Sequence, residues 1–411
     1  MALIPAVLRQ EAQFRLLFTG QALSLLGDRI AYLALPFAVI GLGGDATAVG
    51  LVVAAQTIPF AGLSLAAGVW ADRRDRRRII IGSEGVRMIC QIAAGVLLIG
   101  GVAEIWHLAA LAFVYGAADA FFAPAVTGLL PQVVDTHHLQ QANALRAMTI
   151  SGSMVLGPAI GGTLVATVGP GYAMLADALT FVVSIALLLR LRPNVLARAV
   201  EEEPDFLSGL KGGWREVRSR SWVLAGLGSL LAYHVIVLPA IFVLGPVIAE
   251  TDYGGARDWA IVTSAFGVGG VVGNLVLLNW RPPRPMAASL AFLLVASCQA
   301  AIIGSGLPIW AIAALEAVTG VGVAGYFTLW ETSLQENIPE HALSRVSSYD
   351  FLMSVGSTPI GTALAGPVSV AAGLRPTMIG MTLLALAITL ALLSVPGVRA
   401  LRRPSARPAP G

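Results

Sequence analysis

The chain has 411 residues and a formal net charge of +3, with 56% hydrophobic and only 12% charged residues and a mean hydropathy of +0.79. Soluble domains carry roughly 25% charge, and a soluble domain of this length would need far more to cover its surface. The composition excludes that class and predicts an integral membrane protein. No nucleic-acid module accompanies the small positive charge. Cys90 and Cys298 fall inside apolar runs without metal-ligand or redox spacing, so neither a disulfide nor a metal site is expected. The first apolar run is too long for the core of a signal peptide and is read as an uncleaved anchor.

A bilayer core needs roughly 20 apolar residues per helix. In chain order, runs of that kind cover 14–40, 48–71, 79–103, 107–130, 141–166, 171–191, 222–249, 258–280, 286–305, 308–332, 346–371 and 375–396. They lack the ten-residue alternation of barrel strands. The expected fold is all-α, with twelve transmembrane helices in two six-helix bundles.

The first two spans are followed by the densest charge in the chain, Asp72-Arg73-Arg74-Asp75-Arg76-Arg77-Arg78. A basic excess on a short loop places that loop in the cytoplasm. Twenty-one of the 26 basic residues fall at the two termini or after even-numbered spans. Only Arg257 and Arg375 fall on the opposite side, and Arg29, Arg87 and Arg146 lie within or at the ends of spans. Both termini are therefore expected in the cytoplasm.

The longest hydrophilic interruption runs from Arg192 to Ser221 and contains Glu201 to Glu203 and the basic stretch from Lys211 to Arg220. It divides the chain into a bundle over 1–192, a cytoplasmic loop over 193–221, a second bundle over 222–396 and a cytoplasmic tail over 397–411. The loop reads as a solvated linker with an interfacial helix near Trp214. An internal repeat supports the division. At one constant offset, Leu130, His137, Leu139, Gly157 and Gly162 align with Leu334, His341, Leu343, Gly361 and Gly366. Two parallel six-helix repeats are a known plan for secondary transporters.

Four motifs then carry a resemblance. They are Gly68 to Arg78 with a degenerate counterpart at Asn279 to Arg284; Gly157-Pro158-Ala159-Ile160-Gly161-Gly162; Ser24 to Asp28 through Pro36, with Phe121 to Ala125 and Leu130-Pro131; and Arg345-Val346 through Pro359-Ile360-Gly361. Over essentially its whole length the chain resembles the major facilitator superfamily. It looks most like the drug:proton antiporter group that includes macrolide and siderophore exporters. The resemblance implies alternating access, a proton gradient as energy source and no cofactor. One departure is that the arginine expected early in the fourth helix is missing, since 107–130 holds no basic residue except His107.

The loop signature has a mechanical reading. Gly68 would allow close helix approach, Asp72 would face a neighbouring helix dipole, and Arg76 or Arg77 would clasp Asp350 across the two halves. The alternative is a plain orientation signal. Gly157, Pro158, Gly161 and Gly162 would give a bent, closely packed helix that seals a central path, or a packing kink without bearing on transport.

Ionisable groups inside spans are functional candidates by default. Asp28 and Asp119 lie about 14 and 12 residues into their helices, roughly 21 and 18 Å, and lead as proton sites. Glu316 and His234 follow, with a satisfied structural histidine as the competing reading of His234. Glu84 and Arg87, three apart, are expected to form a structural ion pair. Asp177 and Glu331 are assigned to helix ends without a role.

The reading is a proton-coupled exporter of a hydrophobic or amphiphilic molecule, multi-pass and monomeric in a bacterial plasma membrane. An uptake transporter of the same fold is the runner-up, and a non-transporting sensor the next. No phosphate-binding loop is present, and Lys211 is the single lysine. No His-Glu-x-x-His, Gly-x-Ser-x-Gly or metal pair marks an enzyme.

Overall fold

A computed structural model describes residues 5–72, 74–192 and 214–403. Arg73, most of the predicted central loop (193–213) and the end of the predicted tail (404–411) lie outside the described residues. Among the described residues every regular element is helical. Eleven helices among the described residues are long and apolar enough to cross a membrane.

The first three spans are Ala12–Gly41, Ala46–Asp72 and Arg76–Ile99. The third starts where Asp75 caps it, its carboxylate accepting from the backbone N–H groups of Arg77 and Arg78, which satisfies donors that have no intrahelical partner. The fifth and sixth are Leu139–Val168 and Pro170–Arg190, and the eighth, tenth and twelfth are Ala256–Asn279, Ile309–Asn337 and Leu374–Leu393.

Four expected spans are interrupted. The fourth is Ile105–Asp119 followed by Phe122–Leu129. Pro124 lacks the N–H that would bond Ala120 O, and its ring crowds that carbonyl. The seventh runs through two π-helical stretches, Tyr233–Val237 and Ala240–Leu244, on either side of Pro239. The ninth steps at Cys298 between Pro285–Ser297 and Gln299–Ile303. The eleventh, expected as one helix over 346–371, is Glu340–Met353, a 3₁₀ turn Val355–Ser357, and Thr358–Ala372. At that break Ser354 Oγ donates to Asp350 O and Ser357 Oγ to Met353 O, at 2.6 and 2.7 Å, so side chains engage carbonyls at the broken turn. Neither piece is long enough to count as a span alone.

The repeat extends to the hairpins. Among the described residues six glycines have positive φ: Gly43, Gly101 and Gly169 in the first half, Gly255, Gly306 and Gly373 in the second. Each closes the turn after an odd-numbered span. Gly169 and Gly373 keep the same offset as Gly157 and Gly361.

Packing divides the described chain into two units. The first holds the first six spans together with Phe242–Ser264 and Thr362–Ala371, and the second holds the rest of the later spans. Within the first unit, a Cβ on Gly162 would lie 2.8 Å from Ala256 O, and one on Gly366 would lie 2.3 Å from Ala46 O. Ala256 and Ala46 are the first residues of the eighth and second spans. The two glycines of the aligned pair therefore meet equivalent backbone atoms, each in the opposite repeat.

Candidate proton-coupling site

The first, third, fourth and sixth spans pack together inside the first unit, and each turns polar residues inward at helical spacing. The first offers Gln21, Ser24 and Asp28; the third, Glu84, Arg87 and Gln91; the fourth, Tyr115 and Asp119; the sixth, Asp177, Thr180 and Ser184. Positions separated by three, four and seven residues share one helical face.

Arg87 is the centre. Its side chain is 0% exposed, against 12% for Asp28 and 19% for Asp119. One guanidinium nitrogen, Nη1, donates to both oxygens of Asp28 at 3.2 Å and to Asp119 Oδ1 at 3.0 Å. Tyr115 O–H donates to Asp28 Oδ1 at 2.6 Å. The guanidinium lies over the rings of Phe122 and Phe181, 4.5 and 4.6 Å from their centroids. Its Nε and Nη2 have no hydrogen-bond partner among the described residues, and the ring faces offset part of that loss. Asp119 ends the first piece of the broken fourth span, so the interruption places its carboxylate beside Arg87.

The expected Glu84/Arg87 pair is replaced by a different arrangement. Glu84 Oε1 accepts from Ser184 Oγ at 2.8 Å, while Arg87 turns to the two aspartates. Asp177 is no helix-end residue: it is fully buried, accepts from Gln91 Nε2 at 2.7 Å, and its backbone carbonyl accepts from Thr180 Oγ1 at 2.7 Å. Arg29 does not serve Asp28. Its Cβ stands where a Cβ on Gly157 would come within 2.2 Å, and its guanidinium lies 5.9 Å from the Tyr32 ring.

A cavity of about 30 Å³ reaches Asp28, lined by Tyr32, Gln56, Gln91 and Tyr115 among apolar residues. That is room for water and not for an organic substrate.

The other predicted residues sit apart. Glu316 is buried in the second unit, where its Oε2 accepts from Gln299 Nε2 at 3.0 Å and Thr319 Oγ1 at 2.8 Å, with Oε1 unpartnered among the described residues. His234 lies in the first π stretch with Nδ1 2.9 Å from Leu230 O. That is the geometry of a satisfied histidine at this nitrogen. Asp350 accepts from Trp330 Nε1 at 2.6 Å. Arg76 donates to Gly128 O, and Arg77 to Leu188 O and Leu189 O at 2.7 and 2.6 Å. Arg77 and Asp350 thus each find partners within their own unit. Gly68 and Asp72 lie in the last turns of the second span. Gly157, Pro158, Gly161 and Gly162 lie within one unbroken fifth helix, and Gly161 packs on the backbone of Ile30. Among the described residues no cluster of metal-ligating side chains occurs.

The family model of the Major Facilitator Superfamily matches residues 17–362. The chain belongs to that superfamily. It is a membrane transporter of the superfamily's fold, and similar transporters are known by function. The chain is 28% identical over 404 residues to the multidrug efflux pump Tap of Mycobacterium tuberculosis, covering 94% of each chain. It is 25% identical over 364 residues to macrolide efflux protein A of Streptococcus pyogenes, covering 86% of this chain and 88% of that one. Among solved structures, a bacterial homologue of the iron transporter ferroportin in its inward-facing state superposes with a TM-score of 0.71 at 16% identity, covering 95% of this chain and all of that one. A bacterial homologue of the lysosomal transporter Spinster, inward-facing and occupied, gives 0.72 at 14%, covering 97% and 99%. These two establish the fold alone.

The arginine at this site comes from the third span, and the fourth supplies an acid, Asp119. Arg87 occupies the space between Asp28 of the first span and Asp119 of the fourth. The sequence reading missed this, although the spacing of Glu84, Arg87 and Gln91 on one face was visible.

Proposed function

We propose that the protein is a proton-coupled exporter of a hydrophobic or amphiphilic organic molecule, working by alternating access in a bacterial plasma membrane with both termini cytoplasmic. It would act without a cofactor, as a carrier and not an enzyme, and as a monomer. Residues 1–192 and 222–396 would be the two rocking halves, joined by the loop at 193–221.

The observation that carries the reading is the single buried cation shared by Asp28 and Asp119. Two carboxylates on one arginine make a site where a proton changes who holds the charge. Protonating either aspartate weakens its attraction for Arg87 and leaves the guanidinium with the other. Asp28 sits on the first helix and Asp119 at the break of the fourth, so that exchange loosens or tightens the contact between them. The small cavity at Asp28 would bring water, and with it protons, to the carboxylate. Outward transport of drug-like molecules is supported by the two relatives named as efflux proteins. Reciprocal packing of Gly162 and Gly366 falls at the outer ends of their helices in this orientation, and supports a state closed to the outside.

Whole-cell accumulation of labelled erythromycin and ethidium tests the reading, with and without a protonophore. Export predicts lower accumulation in cells expressing the protein, lost on adding protonophore and lost in Asp28→Asn at equal expression. Higher accumulation in expressing cells would overturn export in favour of uptake.

A further inference from the structure

The arginines of the first basic loop do not act alike. Arg76 and Arg77 turn inward onto the carbonyl groups of Gly128, Leu188 and Leu189, at the ends of the fourth and sixth spans. Arg74 and Arg78 turn the other way. They border a groove of about 580 Å³ between the second and third spans, floored by the fourth. The volume is in the range of small-molecule sites, but the walls are those of a lipid-facing surface. Leu63, Val86 and Val114 line it and are 36%, 39% and 46% exposed. At its charged mouth Arg74 lies over the Trp70 ring, 5.4 Å from the centroid, and Trp70 in turn packs edge-on against Phe121. Arg78 is 87% exposed and pairs with Asp75 at 3.3 Å, so the described residues lining the mouth bring two cations against one carboxylate.

An apolar trough that ends in a tryptophan and a net positive charge matches an amphiphile with an anionic head. Trp70 lies in the last turn of the second span, beside the basic loop, and tryptophan is favoured at membrane interfaces. Basic residues there attract anionic lipids.

We propose that this groove is a binding site for one anionic phospholipid, its phosphate held by Arg74 and Arg78 and an acyl chain laid along Leu63, Val86 and Val114. The charge pattern places the site in the cytoplasmic leaflet under the orientation proposed above. Binding itself does not depend on that orientation. An organic cation is disfavoured by the two arginines. Free phosphate shares the head chemistry but leaves the apolar trough unused.

Native mass spectrometry of delipidated protein in detergent tests the site, titrating dioleoyl phosphatidylglycerol against dioleoyl phosphatidylcholine. Wild type should retain one phosphatidylglycerol at roughly tenfold lower concentration than phosphatidylcholine, the scale set by one net charge to two near a lipid head. Arg74→Gln with Arg78→Gln should bring the two lipids within about twofold of each other. Arg215→Gln with Arg218→Gln, equal in charge and exposed elsewhere on the chain, should keep the preference. Gly82 lines the trough, and a Cβ there would meet nothing within 4 Å. Gly82→Phe should therefore direct a side chain into the trough from an uncrowded Cβ and lower phosphatidylglycerol retention with both arginines intact. The proposal is overturned by equal retention of the two lipids in wild type. It is also overturned by an unchanged preference in the Arg74/Arg78 variant, by unchanged retention in Gly82→Phe, or by displacement of the lipid with millimolar inorganic phosphate.

Discussion

The two repeats bury their charge differently. In the first, Arg87 joins Asp28 and Asp119, with Tyr115 donating to Asp28. In the second, Glu316 lies 1% exposed among neutral donors, Gln299 and Thr319. The backbone has kept the repeat, since Gly162 and Gly366 make equivalent contacts and Gly169 and Gly373 turn equivalent hairpins. The chemistry has diverged on that shared frame. A cation shared between two acids can pass from one to the other, whereas a carboxyl among amides and hydroxyls has no such alternative state. On the proposed reading, coupling belongs to the first repeat and a supporting role to the second.

The largest effect should come from removing the shared cation. Arg87→Leu leaves two aspartates without their partner, and breaking a buried pair in this way costs about 3–5 kcal/mol. Loss of folded protein by size-exclusion chromatography in detergent is the expected outcome. Arg87→Lys keeps the charge but not the planar fork, so it should fold while gradient-driven transport falls by about tenfold or more. Wild-type transport in Arg87→Lys would mean that the bridge is not used.

Next comes the packing that links the repeats. Gly162→Leu places a side chain against Ala256 O and Ala260, where a Cβ already falls 2.8 and 2.2 Å away. The outer ends must then separate. Spin-label distances between the outer ends of the fifth and eighth spans should shift to longer values. Gly152, whose Cβ would meet nothing within 4 Å, is the control, and Gly152→Ala should leave the distances unchanged.

The second repeat should respond less. Glu316→Gln retains an acceptor for Gln299 and Thr319, so a change in stability within about 1 kcal/mol is expected, with energised transport reduced less than by Asp28→Asn. If Glu316→Gln abolished coupling while Asp28→Asn did not, the assignment of roles to the repeats would be reversed. The smallest effect is predicted for His234→Gln, whose amide can restore the bond to Leu230 O. Transport and its pH profile should remain close to wild type, and a displaced pH profile would make His234 part of the proton path.

The spans were legible because apolar length and the sidedness of arginine are imposed by the bilayer and survive without knowledge of packing. Their interruptions were less so. Pro124, Pro239 and Pro359 stood in the sequence near the breaks, yet Pro36, Pro59 and Pro158 sit inside continuous helices. The difference depends on which neighbours satisfy the freed carbonyl groups, which sequence alone does not state. Asp28 and Asp119 were recognisable by their depth. Arg87 was visible, but its nearest acid in sequence, Glu84, suggested the wrong partner. Tyr115, Phe122 and Phe181 fix the guanidinium from two other helices, and only the packed structure shows that choice. Asp177 was missed for the same reason, its partner Gln91 coming from the third span.

The most direct test of coupling through Asp28, Arg87 and Asp119 compares two modes of transport in inside-out membrane vesicles, using a labelled macrolide. One mode is accumulation driven by an imposed pH gradient, and the other is exchange of labelled for unlabelled macrolide without a gradient. Asp28→Asn should lose the first and retain the second, because the carrier still moves while the proton no longer controls the shared arginine. Gradient-driven accumulation by Asp28→Asn at the wild-type level would contradict the account.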